Sequence, residues 1–288
     1  MLNIDQAMGM FVGLAIGDAL GAPLEFQQSR NPENYITDFE TGGAHSVKVG
    51  EWTDDTAMTL AMAEAILAEG HFVPNAVMDN FVSWYMEGQF IPRGVCFDIG
   101  NTTRNALERY IVDPTNPYKG TADPETAGNG ALMRTAAVVL AAKSREQVLT
   151  LATQQTLLTH AAPECVIYGT MFAEELYYAS PLEKYRSFRH QSDIDRHKVM
   201  SGGYVVETYQ AAMWAFQTTD SFTDCLIAAV NRGHDSDTTG AVAGMLAGAH
   251  YGYAGIPAHF KEKLLWHDRL AKVAVDLFFR KKNKIRHS

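Results

Sequence analysis

Cysteine is scarce and scattered in this chain. Cys96, Cys165 and Cys225 form no CxxC pair and leave an odd count, so neither a zinc knuckle nor a disulfide framework is indicated. Positive charge is short as well: 24 Lys and Arg stand against 33 Asp and Glu, a formal charge of −9. That balance argues against general nucleic-acid binding or a membrane-surface role, both of which call for a basic face. No window offers about 20 unbroken apolar residues, so no membrane span is expected. The amino terminus lacks the positive region of a signal peptide, since Asp5 and Asp18 bracket its apolar run, and a cytoplasmic location is the expectation. Strand-like alternation is nearly missing, as are low-complexity linkers and repeats of solenoid period. The one basic stretch, Arg280-Lys281-Lys282-Asn283-Lys284-Ile285-Arg286, reads as a solvated tail over residues 279–288.

What is present is helix. With 288 residues, 47% of them hydrophobic, the chain can bury a large core in one domain. Apolar spacings of three and four predict helices over 4–21, 55–69, 74–86, 101–111, 130–142, 145–158, 164–179, 203–217, 221–231, 237–251 and 261–281. Pro, Gly and Asp punctuate the gaps, and the longest irregular stretches are 26–54, 113–129 and 180–202. One all-α domain over residues 1–288 is the expectation.

Two of these helices carry glycine every fourth residue: Gly9, Gly13, Gly17 and Gly21 in the first, Gly240, Gly244, Gly248 and Gly252 in a late one. Each glycine costs a helix about 0.8–1 kcal/mol relative to Ala. A spacing of four lines them along one stripe, where missing side chains let another backbone approach. Both helices are therefore expected in the centre, tightly packed and in reach of each other.

Two acidic clusters stand immediately before long apolar helices: Thr53-Asp54-Asp55-Thr56 and Asp235-Ser236-Asp237-Thr238-Thr239. Helix capping would explain one carboxylate in each. Two carboxylates beside two hydroxyls, twice over, call for a cation between them, because packed like charges repel. Oxygen-only ligands point to Mg²⁺, Mn²⁺ or Ca²⁺ rather than zinc, and four carboxylates could hold a pair of ions. Metal binding, capping and a solvated loop all stay open on spacing alone.

Other residues are weaker signals by themselves. Glu25, just after the helix-breaking Pro23, is a surface residue or a further acidic contribution. Asp18, inside an apolar helix, reads as buried and hydrogen-bonded. Gly128-Asn129-Gly130 is expected to open the helix containing Met133 and Arg134 and offers a phosphate cradle at its N-terminus, without the Lys-Ser/Thr of a P-loop. Asp98, in Asp98-Ile99-Gly100-Asn101-Thr102, is an N-cap or a functional carboxylate, and His160 is by default a polar residue at a helix end.

Taken in order, these segments resemble the ADP-ribosylglycohydrolase family. The resemblance rests on Gly13-Leu14-Ala15-Ile16-Gly17-Asp18-Ala19-Leu20-Gly21 with Glu25, Thr53-Asp54-Asp55-Thr56, Asp98-Ile99-Gly100-Asn101-Thr102 and Gly128-Asn129-Gly130-Ala131-Leu132-Met133-Arg134. It continues through Thr159-His160, Gly203-Tyr204-Val205 and Asp235-Ser236-Asp237-Thr238-Thr239-Gly240. Within the family the chain looks most like the bacterial branch that reactivates dinitrogenase reductase.

The resemblance implies a compact multi-helix orthogonal bundle and two divalent ions, Mg²⁺ or Mn²⁺, on Thr53, Asp54, Asp55, Asp235, Asp237 and Thr238. It implies a hydrolase acting on a mono-ADP-ribosylated protein, with ADP-ribose as product. Glu25, Asp55 and Asp98 are then the catalytic candidates, and Asn101 joins Asp98 toward the target arginine. Gly128, Asn129, Gly130, His160 and Tyr204 are expected to line the ADP-ribose groove. Another ADP-ribose linkage (to serine, DNA or a small metabolite) or a non-catalytic ADP-ribose binder stays open. One departure is Gly233-His234, where the family often has Gly-Gly, so His234 either adjoins the substrate or faces solvent.

Overall fold

A computed structural model describes residues 2–191 and 193–283. Twelve α-helices run in the order α1 (Ile4–Gly21), α2 (Asp54–Glu69), α3 (Pro74–Glu87), α4 (Asn101–Val112), α5 (Thr135–Ala141) and α6 (Arg145–Leu157). They continue with α7 (Pro163–Tyr178), α8 (Val205–Gln217), α9 (Phe222–Val230), α10 (Ser236–Tyr251), α11 (Ala258–Lys263) and α12 (His267–Asn283). No β-strand occurs among the described residues, where extended pairing is limited to isolated bridges such as Gly42 with Val47 and Gly128 with Tyr204. The fold is all-α, as the periodicity predicts.

The glycine stripes meet. A methyl group on Gly9, Gly13 or Gly17 would collide with the carbonyl of Gly248, Gly244 or Gly240 respectively, so α1 and α10 lie backbone against backbone. The helices run antiparallel, because the first glycine of one faces a late glycine of the other. This contact brings the C-terminal end of α1 beside the N-terminal end of α10.

The segment Ile4–Leu24 meets the length and composition of a membrane span, with mean hydropathy 1.5, but 94% of it is buried inside the protein. A helix apolar on all sides belongs in a core, and Asp18 within it is fully hydrogen-bonded. The other helices pack around this pair, with Phe11, Phe81, Trp84, Phe172, Tyr209 and Phe222 filling the interior.

Three expectations change. The helix predicted over 130–142 begins only at Thr135. Residues 129–134 form tight turns instead, with Leu132 N donating to Asn129 O, and buried Arg134 donates back to Gly130 O. The apolar run that suggested a helix there is buried turn. The helix predicted over 261–281 is two helices broken at residues 264–266. The break is imposed by a distant segment: Leu265 N donates to Gly50 O, and the Trp52 indole donates to Leu265 O. Continuous apolar residues across it hid the break from periodicity.

The first half of the expected basic tail is helix. Residues 279–283 belong to α12, and Arg280 donates to Ile66 O and Gly70 O at the end of α2. Residues 284–288 lie outside the described part.

Candidate active site

The four residues Thr53–Thr56 open α2, yet their own side chains do not cap it. Asp18 does, from α1. Its Oδ1 accepts from Thr53 N and Thr53 Oγ1, both at 2.9 Å. Its Oδ2 accepts from Thr56 N at 3.0 Å and Thr56 Oγ1 at 2.6 Å. A carboxylate at the positive end of a helix, holding the free N–H groups, is stabilising. Because Asp18 supplies it, Asp54 and Asp55 are released from that duty.

The same holds at α10. Asp235 stands at its N-cap position without a capping hydrogen bond, and its Oδ2 instead accepts from Asn129 Nδ2 at 2.9 Å. Neither N-cap side chain caps its helix, and the one first-turn N–H held by the second cluster is that of Thr238, on Asp237 Oδ1 at 2.9 Å.

The clusters converge through the α1–α10 contact. Oxygens of Asp18, Asp55 and Asp237 lie within 4.8 Å of one another. Thr53 Oγ1 is 3.3 Å from Asp55 Oδ2 and 3.4 Å from Asp237 Oδ2, while Thr238 Oγ1 is 3.4 Å from Asp55 Oδ2. The single Thr53 hydroxyl proton is engaged by the nearer Asp18, so the other two distances are oxygen–oxygen contacts.

Burial first, then mutual repulsion, raises the pKa of Asp54, Asp55 and Asp237 well above the usual carboxylate range. Asp55 Oδ1 is buried without any partner. Buried carboxylates facing each other with an oxygen unused fit a hard divalent cation, and nothing in the donor set suits a soft one. The cluster can bind metal. Asp18, with four donors on two oxygens, is a brace for the cluster rather than one of its open faces.

Above the cluster lies a cavity of about 410 Å³. Asp54, Asp235, Asp237 and Thr238 line its floor, with Thr53 and Asp55 buried beneath. Glu25, Asp98, Asn101, Gly128, Asn129, Gly130 and His160 also line it. Tyr204 does not line this cavity. It borders an adjoining one of about 500 Å³ that shares Gly128 and Gly203 with the first. Its ring is partly exposed there, so its place in the groove is corrected to the neighbouring hollow. His234 is exposed and is absent from the cavity wall; only its backbone engages, pairing with Phe26 and Gln27.

The glycine-rich turn works differently from the helix-start cradle expected. Helix α5 is short and starts five residues past Gly130, so no helix terminus points at the cavity from there. Glycine at 130 makes room for the His160 ring, which a methyl group would meet at 2.9 Å. Asn129 is spent on Thr208 and Asp235.

His160 itself is buried, and its pKa is lowered to about 3, by burial and then by the charge of Arg134. Arg134 Nη2 donates to Thr159 Oγ1 at 2.7 Å, and Thr159 Oγ1 lies 2.7 Å from His160 Nδ1. Arginine cannot accept, so the threonine accepts from it and donates onward to Nδ1. The ring is then neutral with its proton on Nε2, the nitrogen nearest Gly128.

Asp98 is not the cap of α4, whose N-cap position belongs to Gly100. It adopts a left-handed backbone, φ 63°, and turns its carboxylate toward His45. His45 Nε2 is 2.7 Å from Glu25 Oε2 and 3.0 Å from Asp98 Oδ1. Pairing with these two carboxylates lifts the pKa of His45 to about 10. Glu25 is pushed up to about 7, by burial first and against the pull of His45.

Sequence reasoning missed His45 and also Phe26, an exposed ring on the cavity wall with φ 61°. The only signal for His45 was its place in the long 26–54 stretch, two residues after Gly43.

Comparison with known proteins agrees with this geometry. A model of the ADP-ribosylglycohydrolase family matches residues 2–285. A Serratia proteamaculans protein named ADP-ribosylarginine hydrolase Tri1 is 37% identical, covering 96% of this chain and 80% of that relative. The ADP-ribosyl-[dinitrogen reductase] glycohydrolase of Rhodospirillum rubrum is 36% identical over 90% of both chains. A solved structure titled ADP-ribosylglycohydrolase-related protein complex superposes with TM-score 0.82 at 34% identity, covering 96% of this chain and 98% of its own.

Proposed function

The chain belongs to the ADP-ribosylglycohydrolase family, and on that premise we propose that it removes mono-ADP-ribose from arginine side chains of a target protein. In this reading Thr53, Asp54, Asp55, Asp235, Asp237 and Thr238 hold two Mg²⁺ or Mn²⁺ ions. When bound, the ions draw electron density from the ribose diol. The unpartnered Asp55 oxygen and the raised pKa values of the cluster support this assignment.

The protein's own groups do the rest. Cleavage at the anomeric carbon places positive charge on the sugar ring, which the Glu25 and Asp98 carboxylates stabilise. Glu25, with a pKa near 7, is matched to taking a proton from water at neutral pH. Asp98, with Asn101 beside it, faces the leaving guanidine and keeps it protonated. His160 offers its Nε2 proton to an oxygen of the ADP-ribose, where the Gly128–Gly130 turn leaves room for close approach.

One observation carries the arginine linkage. The Glu25–Asp98 end of the cavity already holds an organic cation, the His45 side chain, next to an acidic cluster suited to metal. A serine or DNA leaving group would bring no charge to match it.

The test is hydrolysis of mono-ADP-ribosylated arginine, serine and DNA substrates, each with Mg²⁺, with Mn²⁺ and after chelation. Release from arginine only, and only with metal, is the expected result. Release from serine or DNA in preference, or full turnover in chelator, overturns it. Asp98→Asn should lower arginine turnover by about a hundredfold or more, while calorimetric affinity for ADP-ribose stays close to that of the parent. Unimpaired turnover by this variant would remove Asp98 from the chemistry.

A further inference from the structure

Three buried polar atoms at the Glu25–Asp98 end of the cavity have no hydrogen bond: Glu25 Oε2, His45 Nε2 and Asp98 Oδ2. His45 Nε2 is nevertheless within ion-pair distance of both carboxylates. One ring N–H cannot aim well at two carboxylates at once, so both contacts are poorly directed and hydrogen-bonding capacity is left over on the acids. Such a pair of acids is matched by a planar cation with several donors. A guanidinium has five N–H groups in a fork that fits carboxylates two bonds at a time.

The His45 backbone is pinned while its side chain is not. Arg93 Nη1 donates to His45 O at 3.0 Å, and Arg93 is itself paired with Glu51. Gly42 and Val47 close the loop around His45 with two backbone hydrogen bonds. Besides the two carboxylates, the ring lies in tilted contact with Phe26 and Phe97, centroids 6.1 and 5.5 Å away, and its side chain is 20% exposed. Rotation about the side-chain bonds would take it to solvent without disturbing the loop.

Resting on the arginine reading above, we propose that His45 is a resident cation of the guanidinium subsite and is exchanged for the substrate's arginine on binding. While His45 is in place, the two acids are kept from repelling each other in a buried pocket. An arriving guanidinium replaces one poorly aimed donor by several well-aimed ones. A neutral leaving group cannot displace His45 and finds the subsite filled. His45 is thus a specificity-determining residue that touches no bond being broken. Its cost is a lower apparent affinity for the true substrate, since the free enzyme spends part of its time self-occupied.

The exchange is read on the metal-loaded enzyme with ADP-ribose present and N-methylguanidinium as the probe. With [¹³Cε1]-histidine labelling, the resonance missing from His45→Gln identifies His45, and it should move on titration with the probe. His45→Gln should bind the probe, and lower KM for ADP-ribosylarginine, by about threefold or more, with affinity for ADP-ribose alone unchanged. His45→Lys, a cation on a longer stem, should bind the probe no better than the parent.

A His45 resonance indifferent to saturating probe overturns the proposal, as does a Gln variant that binds the probe no tighter or a probe that does not bind. If His45→Gln fails to fold, the resonance is assigned from the spectrum of His45→Lys. Failure of the parent enzyme to hydrolyse ADP-ribosylarginine would sink the functional reading instead. The resonance and probe affinity do not depend on turnover, so the two failures are distinguishable.

Discussion

The glycine contact between α1 and α10 should control metal affinity, because it sets the distance between the two acidic clusters. Gly17→Ala and Gly9→Ala separate this role from plain stability. A methyl group on Gly17 would overlap the Gly240 carbonyl and lie 2.9 Å from Ala241 N. One on Gly9 would overlap the Gly248 carbonyl and lie 2.7 Å from Tyr253 N. Comfortable contacts begin near 3.5 Å and the carbonyl oxygens stand far inside that, so either variant must part the helices by roughly an ångström or more.

Overpacking of that kind costs about 3 kcal/mol when backbone is the obstacle, against a gain of about 1 kcal/mol from better helix propensity. The net loss of about 2 kcal/mol should lower Tm by about 5 °C in a chain of this size. Both variants should show it in chelator. Their metal affinities should differ. Gly17 adjoins Asp18 and faces Gly240 at the second turn of α10, whereas Gly9 sits roughly 12 Å further along the helix. Gly17→Ala should therefore weaken Mn²⁺ binding by about tenfold, as loss of supporting contacts around a metal commonly does, and Gly9→Ala far less. Thermal unfolding in chelator and calorimetric Mn²⁺ titration measure the two effects. A Gly17→Ala protein as stable as its parent would mean propensity outweighs contact, and the backbone-to-backbone packing would be refuted.

The remaining predictions concern the site. Asp237→Ala should abolish hydrolysis and Mn²⁺ binding while circular dichroism stays unchanged; retained metal-dependent turnover would remove Asp237 from the ligand set. In chelator, stability should fall as pH rises from 6.5 to 8.5. Over that window folded His45 (pKa about 10) and Glu25 (about 7) hold protons that the unfolded chain, with values near 6.5 and 4.5, gives up. His160, lowered to about 3, stabilises in the opposite sense only below about 6.5, so it does not mask the trend. A flat or rising Tm in chelator across the window would contradict the assigned charges. Thr159→Val should release His160 Nδ1, giving a mixed tautomer by ¹⁵N NMR where the parent shows the Nε2–H form, with weaker ADP-ribose binding. An Nδ1–H ring in the parent would break the proposed Arg134–Thr159–His160 relay.

What could be read from the chain was whatever is written locally. The glycine stripes repeat every four residues, and a helix face is a local property, so their meeting followed from spacing. The two acidic clusters are contiguous in sequence, and the excess of carboxylates over what a helix end can use was visible without coordinates. Breaks imposed from a distance were not. Leu264, Leu265 and Trp266 are themselves apolar, and the hydrogen bonds to Gly50 and from Trp52 stop the helix there. The turn at 129–134 is similarly the work of Arg134 reaching Gln155 and Thr159 in α6 and just beyond it.

The site shows the same division more sharply. Asp18 was legible as a buried, bonded carboxylate, but its use was not: it caps a helix that starts 36 residues later. That single displacement explains why the Thr53–Thr56 cluster is free for other chemistry. Capping and metal binding looked like rivals on spacing alone because the cap was assumed to come from the cluster itself. Once Asp18 takes four donors, the two readings no longer compete, and the helix end and the oxygens suited to a metal coexist within one turn. His45 is the mirror case. A lone histidine in a glycine-flanked loop has no periodicity, no partner nearby in sequence and no motif. Its meaning comes wholly from Glu25 and Asp98, 20 residues before it and 53 after, which no local pattern connects.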